Sequence, residues 1–568
     1  MYPYQDRKCS LIQSHRLIPK RTLQWTVGAL LLTLAVQTQA AQTMQSSKGM
    51  VVAGHQLAAF AGQKILQENG NAVDAAVAVA TTLNVAEAWG SGLGGKLVML
   101  YYEAQSQQVY CVEALDQASQ TMPEKRPTNR QTAMSIGVPG MLIGWAKAHE
   151  KWGTMPWPKL IEPAIQTAEN GFTLDRFDII ALKHAQSKLI QGGASETFIP
   201  DQEMPLAGQR QTNPQLAKTY RIIQSDGYQA LYGGALGKKM VDHVTAKGGW
   251  MTLDDLKRYK PRIYPAPKTQ YRDTLVYSSD GPATGGPTVL LSLACLNRQQ
   301  PHSDPIGVER IDQMARVLLQ VYGVVRSKLA DHPASGTLLR QALTPQSIAK
   351  LNLKAKQMNL QTSQNSTRRD IDPQELTHST THFIVADQYG NVVCATQSLG
   401  KHFGTGIMVP DTGILLNTSL NNFSNTPNSP NAPKPGRRPR STMSPTIALK
   451  SGKPFLALGS PGGQRIPVSV LQVLTDVIDY DMPLQRAVQL PRFHVLNSTQ
   501  RQRVELENTM PPELLDQLSA KGWQAQQVKT SLMYFGPVNA IGFKDATSLG
   551  VADDRRSNVA SSVEISDQ

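Results

Sequence analysis

The 568-residue chain is 40% hydrophobic and 18% charged, the composition of a soluble globular protein, which excludes a disordered or fibrous one. Length alone leaves one large domain or several smaller ones open. The net charge is +14, but apart from Lys434, Arg437, Arg438 and Arg440 the basic residues are scattered. No basic stripe or recognition module is present, so nucleic acid is not an expected partner and the charge points to anionic substrates or surfaces.

Residues 1–40 read as a leader. Arg7, Lys8, Arg16, Lys20 and Arg21 precede an uncharged run from Leu23 to Ala35, and small residues follow to Ala40 and Ala41. That order describes a secretory signal peptide, and the apolar run falls short of the ~20 residues a membrane span needs. A periplasmic or secreted protein is expected, with no membrane span once the leader is removed. Cys9 leaves with the leader. Cys111, Cys295 and Cys394 are too widely spaced for a disulfide framework or a zinc set, so buried free thiols or one incidental bridge are expected.

Along the mature chain, His55–Glu68 has the rhythm of an amphipathic helix closed by Asn69-Gly70. Asn71–Ala86, rich in Ala and Val, reads as a helix buried on most sides. The glycines of Trp89-Gly90-Ser91-Gly92-Leu93-Gly94-Gly95 do not follow a strand and open a helix, so they read as tight backbone packing rather than a dinucleotide turn. Strand-like runs follow at Leu97–Tyr102 and Val109–Ala114. From about Thr132 to Gln346 the rhythm is mostly helical, with Thr252 an N-cap before an acidic first turn.

The character then changes. Gln357–Leu376 is rich in Gln, Asn, Ser and Thr with few apolar anchors, and a loose segment is expected over about 355–379. Thr381–Ala386 and Val392–Thr396 are β-prone runs around a Gly/Asn turn, the pattern of a hairpin. Thr380 therefore stands at the start of a strand, directly after a loose polar stretch.

From here the sequence resembles the gamma-glutamyltranspeptidases. The resemblance rests on Gly70–Ala76, Ser91–Gly95, Thr380-Thr381-His382-Phe383, Gly390-Asn391, Phe403–Gly406, Gly413–Asn417, Ser441–Thr446, Gly459–Gly463 and Pro491-Arg492-Phe493. It implies an α+β fold, the four-layer αββα sandwich of N-terminal nucleophile hydrolases. Residues 41–568 would form one catalytic domain, cut between Ser379 and Thr380 into paired large (41–379) and small (380–568) subunits. Thr380 would be the nucleophile, and its own α-amine, freed by the cut, the base. By resemblance Gly462 and Gly463 would offer backbone N–H groups to the oxyanion, and Ser398 would hydrogen-bond the nucleophile. Ser441 and Thr442 would contact the substrate carboxylate. No cofactor or metal is implied, and the expected partner is a small-molecule or peptide amide.

The pocket departs from the family pattern. Asp116-Gln117-Ala118-Ser119 lacks the family's carboxylate-binding Arg, and Asn421-Asn422 replace an acidic pair that holds the substrate amine. Gly400, Ser419 and Asn422 fill substrate-side positions. The short, Pro-rich stretch Phe423–Ser441 suggests an open cleft. Its Arg437, Arg438 and Arg440 are candidate anion contacts, although a solvated basic loop suits them better. The readings are a gamma-glutamyl transferase or glutathione hydrolase, an acylase of glutaryl or cephalosporin type, and a non-catalytic binding protein on the same scaffold. Two other chemistries lack partners. Ser398-Leu399-Gly400-Lys401 has no Lys-Thr-Gly or Ser-Asp-Asn companion, and His378 and His382 have no third metal ligand.

Overall fold

A computed structural model describes residues 41–124, 132–360, 379–426, 428–497, 502–529 and 533–563, and the backbone of 367–369. Residues 1–40, expected to be a leader, and most of the stretch expected to be loose lie outside these residues. Within that stretch, Thr367–Arg369 form a short strand pairing parallel with Gln524–Val528.

Two seven-stranded antiparallel sheets carry the architecture. The first runs in the order Val559–Ser562, Gly49–Ala53, Thr381–Asp387, Val392–Ser398, Lys96–Glu103, Gln108–Ala114, Arg262–Pro265. The second runs Gln42–Ser46, Thr547–Ala552, Asn539–Lys544, Lys453–Gly459, Thr446–Lys450, Thr274–Tyr277, Lys268–Tyr271. Met50, Val98, Leu100, Ile384 and Cys394 of the first face Tyr277, Ile447, Ala457 and Ile541 of the second in one apolar layer. Helices including Gln56–Gln67 and Ala72–Ala86 cover the outer face of the first sheet. Gly285–Leu296, Val308–Lys328 and Ile466–Asp479 cover that of the second. The expected four layers are present. Both sheets also mix strands from before and after residue 379, so neither part holds a complete sheet.

Local chemistry explains the elements that position the site. All fifteen residues of Ala72–Ala86 are buried, so the helix needs satisfied ends. Asn71 Oδ1 accepts from the Val73 and Asp74 amides, and Asp74 Oδ2 accepts from the Asn71 amide at 3.0 Å, a capping box. Thr252 caps its helix in the same way with Asp255. The hairpin pairs Thr381 with Gln397 and Ala386 with Val392. The glycine packing is as tight as expected: a Cβ on Gly94 would lie 2.2 Å from the Leu415 carbonyl oxygen, and one on Gly95 2.5 Å from that of Ser398. Cys111, Cys295 and Cys394 are buried free thiols. The strands Arg262–Pro265, Lys268–Tyr271 and Thr274–Tyr277 interrupt the region that reads as mostly helical.

Asp178, in the first turn of the helix Arg176–Gly192, accepts from the Trp89 indole N–H at 2.9 Å and from the Asp175 amide at 2.9 Å. Burial, aided by Asp175, pushes its carboxyl from 3.8 up to about 8. An acid raised in the folded state stabilises fully below its unfolded value, and that contribution is lost as pH rises toward the folded one. Asp178→Asn, which stays neutral, should gain on the wild type by roughly 2–4 kcal/mol between pH 5 and pH 8. Urea denaturation at the two pH values checks this, and an unchanged difference would remove the assignment.

Candidate active site

The hairpin register sets the geometry. One step before the Thr381–Gln397 pair, Thr380 comes opposite Ser398, and Ser398 in turn pairs with Lys96 on the next strand. Thr380, Ser398 and Lys96 thus form a row across three neighbouring strands, and all three line one cleft of about 890 Å³. The Thr380 hydroxyl lies 3.0 Å from Ser398 Oγ and against the carbonyl oxygen of Ser379. Ser398 Oγ donates to that carbonyl at 2.6 Å and accepts from the Gly400 amide at 2.9 Å. A hydroxyl pair and the carbonyl of the preceding peptide meet at one buried point.

Opposite, the Gly459 strand turns into the helix Ile466–Asp479 through Gly462 and Gly463, with φ of 124° and 61°. Glycine is the residue suited to both angles. The turn brings Gly463, Gln464 and the first helical residues, Ile466 and Pro467, to the cleft wall, where the helix dipole favours negative charge. Thr442 Oγ1 donates to the Gly463 carbonyl at 2.8 Å, and Ser441 lies beside it on the lining.

Gly400, Asn421 and Asn422 also line the cleft. Ser419 does not. It is fully buried, receiving a 2.6 Å hydrogen bond from Lys96 Nζ while its own hydroxyl donates to Asp116. Two arginines of the basic loop are not solvated either. Arg438 is buried, with Nη1 2.9 Å from Glu113 Oε1 and its guanidinium over Tyr259. Arg440 lines the cleft but donates to the carbonyls of Leu329 (2.6 Å), Val325 (3.3 Å) and Arg326 (2.8 Å) at a helix end. Segments packed over the stretch supply acceptors for both guanidinium groups, which composition alone does not reveal. His382 is a core residue at 2.8 Å from Thr396 Oγ1, and burial holds its ring down to about 3, hence neutral. His378 lies outside the described residues.

Three contributors escape sequence reading. Arg556, buried over the Trp89 ring, donates from Nη1 to the Thr380 carbonyl at 3.1 Å. Glu87, pushed up to about 7 by burial and opposed by Arg556, lies behind the same strand. Lys96 is the third. Its one signal is a lone cation leading the apolar run Leu97–Tyr102. Among the described residues that line the cleft, Lys96, Arg326 and Arg440 are cations and no side chain is a carboxylate.

A model of the gamma-glutamyltranspeptidase family matches residues 58–563. The glutathione hydrolase proenzyme of Bacillus subtilis (strain 168) is 33% identical over 541 residues, covering 90% of this chain and 91% of that protein. The acylase ACY 1 proenzyme of Pseudomonas sp. (strain SE83) is 31% identical over 528 residues, covering 89% and 92%. In fold, the chain is similar to a cephalosporin acylase from Bacillus halodurans, with a TM-score of 0.83 at 24% identity over 92% of this chain and 97% of that one. Kinship that spans residues 58–563, on a shared architecture, makes the chain a member of the gamma-glutamyltranspeptidase family.

Proposed function

We propose that the protein is an autoprocessed amide hydrolase and acyltransferase that cleaves gamma-glutamyl amides, glutathione among them, through an acyl-enzyme on Thr380. The observation that carries this reading is the contact of the Thr380 hydroxyl with both the Ser379 carbonyl and the Ser398 hydroxyl. A threonine hydroxyl is a weak nucleophile and needs an adjacent base. In the precursor it attacks the Ser379 carbonyl, giving an ester that water opens. The cut frees the Thr380 α-amine, whose reference pKa of about 7.7–8.0 lets it act as base near neutral pH. The same hydroxyl then takes the acyl group of a substrate amide and yields it to water or an acceptor amine. Gly462 and Gly463 serve the oxyanion. Ser441, Thr442, Gly400 and Asn422 border the acyl group, whereas Ser419 acts through Lys96.

The proenzyme names of the relatives support a cut precursor. Residues 41–379 and 380–568, as its products, would stay joined by two shared sheets. No helix among the described residues is long and apolar enough to cross a membrane. The basic and apolar order of residues 1–40 supports export to the periplasm.

A second reading is favoured by one observation: among the described residues of the lining no side chain is a carboxylate, so none of them offers a substrate α-ammonium a charged partner, which a glutaryl donor would not require. Release of 4-nitroaniline from gamma-glutamyl- and glutaryl-4-nitroanilide by purified protein separates the two. Turnover of the gamma-glutamyl compound is expected. Glutaryl turnover alone would transfer the assignment to the acylase reading. An uncut chain inert to both would mean a binding protein.

A further inference from the structure

Both acyl groups under consideration carry a carboxylate three carbons from the scissile carbonyl, and the protein must seat it. The run Asp116–Ser119 offers no arginine for this, and Arg440 is committed to three backbone carbonyls. Lys96 is placed differently. Paired residues on neighbouring strands project to the same face, so Lys96 shares the cleft face with Ser398 and Thr380. Two strand spacings separate its backbone from that of Thr380, roughly 10 Å. A lysine stem from one side and a three-carbon acyl chain from the other can close that distance.

We propose that Lys96 is the specificity-determining residue of this enzyme, its ammonium pairing with the distal carboxylate of the acyl donor. The inference rests on the Thr380 acyl-enzyme reading and names the group that orients its substrate. Ser419 holds Nζ at 2.6 Å, and Asp116 Oδ2 lies 3.9 Å away, so the ammonium is fixed from beneath and keeps donor capacity toward the cleft. Burial draws the Lys96 ammonium down from its usual range while Asp116 opposes the fall, and burial lifts Asp116 to about 7. An arriving carboxylate gives the ammonium a second anionic partner, on the cleft side, beside the Asp116 carboxyl 3.9 Å away. A donor of equal length without the carboxylate leaves the ammonium with its partners unchanged and gains nothing.

The test compares glutaryl-4-nitroanilide with pentanoyl-4-nitroanilide, which has the same carbon count and no carboxylate, on wild type and Lys96→Gln. Because Lys96→Gln leaves Asp116 buried without its cation, the double variant Lys96→Gln/Asp116→Asn is run beside it. Lys96→Arg keeps the charge. Appearance of two chains on a denaturing gel reports that the site has assembled. In the glutamine variants the preference for the glutaryl donor should fall about 30-fold, through KM rather than kcat, the size of a lost charge-assisted hydrogen bond. Lys96→Arg should retain most of it. Equal losses on both donors, or an unchanged preference in the double variant, would overturn the proposal. A wild type that remains uncut and releases no nitroaniline from any donor would instead defeat the Thr380 reading itself.

Discussion

Thr380→Ala is expected to leave the protein as a single chain and to abolish acyl transfer, a loss of about 10⁴-fold or more in rate. Two consequences of one atom combine. Without Oγ1 nothing in contact with the Ser379 carbonyl can attack it, because Ser398 Oγ already donates to that oxygen. Without the cut, no free α-amine exists to serve as base, so a second nucleophile placed nearby would still be unassisted. Removing either partner of a unit that acts together costs nearly as much as removing both. Thr380→Ser keeps the hydroxyl and should divide slowly into the same two chains. Gel electrophoresis with N-terminal sequencing checks this. The smaller wild-type chain should begin Thr-Thr-His-Phe. Mature wild type recovered intact across residues 379 and 380 would end the mechanism.

What the sequence discloses and withholds follows from the range of the interactions. The helix caps at Asn71 and Thr252 are decided within three residues, so their side-chain types announce them. The hairpin is similarly local: two β-prone runs and the Gly390-Asn391 turn suffice. Thr380 and Gly462-Gly463 are named through family motifs; the strand start that places Thr380 is local, and so is the positive φ at both glycines. Long-range contacts are not legible. Arg556 reaches the Thr380 carbonyl across 176 residues, and Arg438 finds Glu113 across 325. Nothing beside either arginine in sequence announces its acceptor. Ser419 shows the same limit from the other side. A position taken as substrate-facing lies one layer down, where Lys96 and Asp116 use it.

Ser398→Ala should slow conversion of the precursor by about 10²-fold, the lower end of what one positioned hydrogen-bonding group contributes. In the precursor the Ser398 hydroxyl donates to the Ser379 oxygen at 2.6 Å, and negative charge grows on that oxygen as Thr380 attacks. The donor is already in place before attack, so it stabilises charge without reorganisation. It also lies 3.0 Å from Thr380 Oγ1, restricting the hydroxyl to the reactive side, while the Gly400 amide fixes Ser398 in turn. Alanine loses all three contacts, the Gly400 N–H among them losing its side-chain acceptor at the cleft wall. After the cut the Ser379 carbonyl departs, so the same substitution should lower substrate turnover by a smaller factor than it lowers self-cleavage. Ser398→Thr retains the hydroxyl and should convert at nearly the wild-type rate. A time course of the purified precursor on a denaturing gel, followed by nitroanilide turnover of the cut product, measures both factors. If Ser398→Ala divides as fast as the wild type, the Ser379 carbonyl does not draw its activation from this hydroxyl.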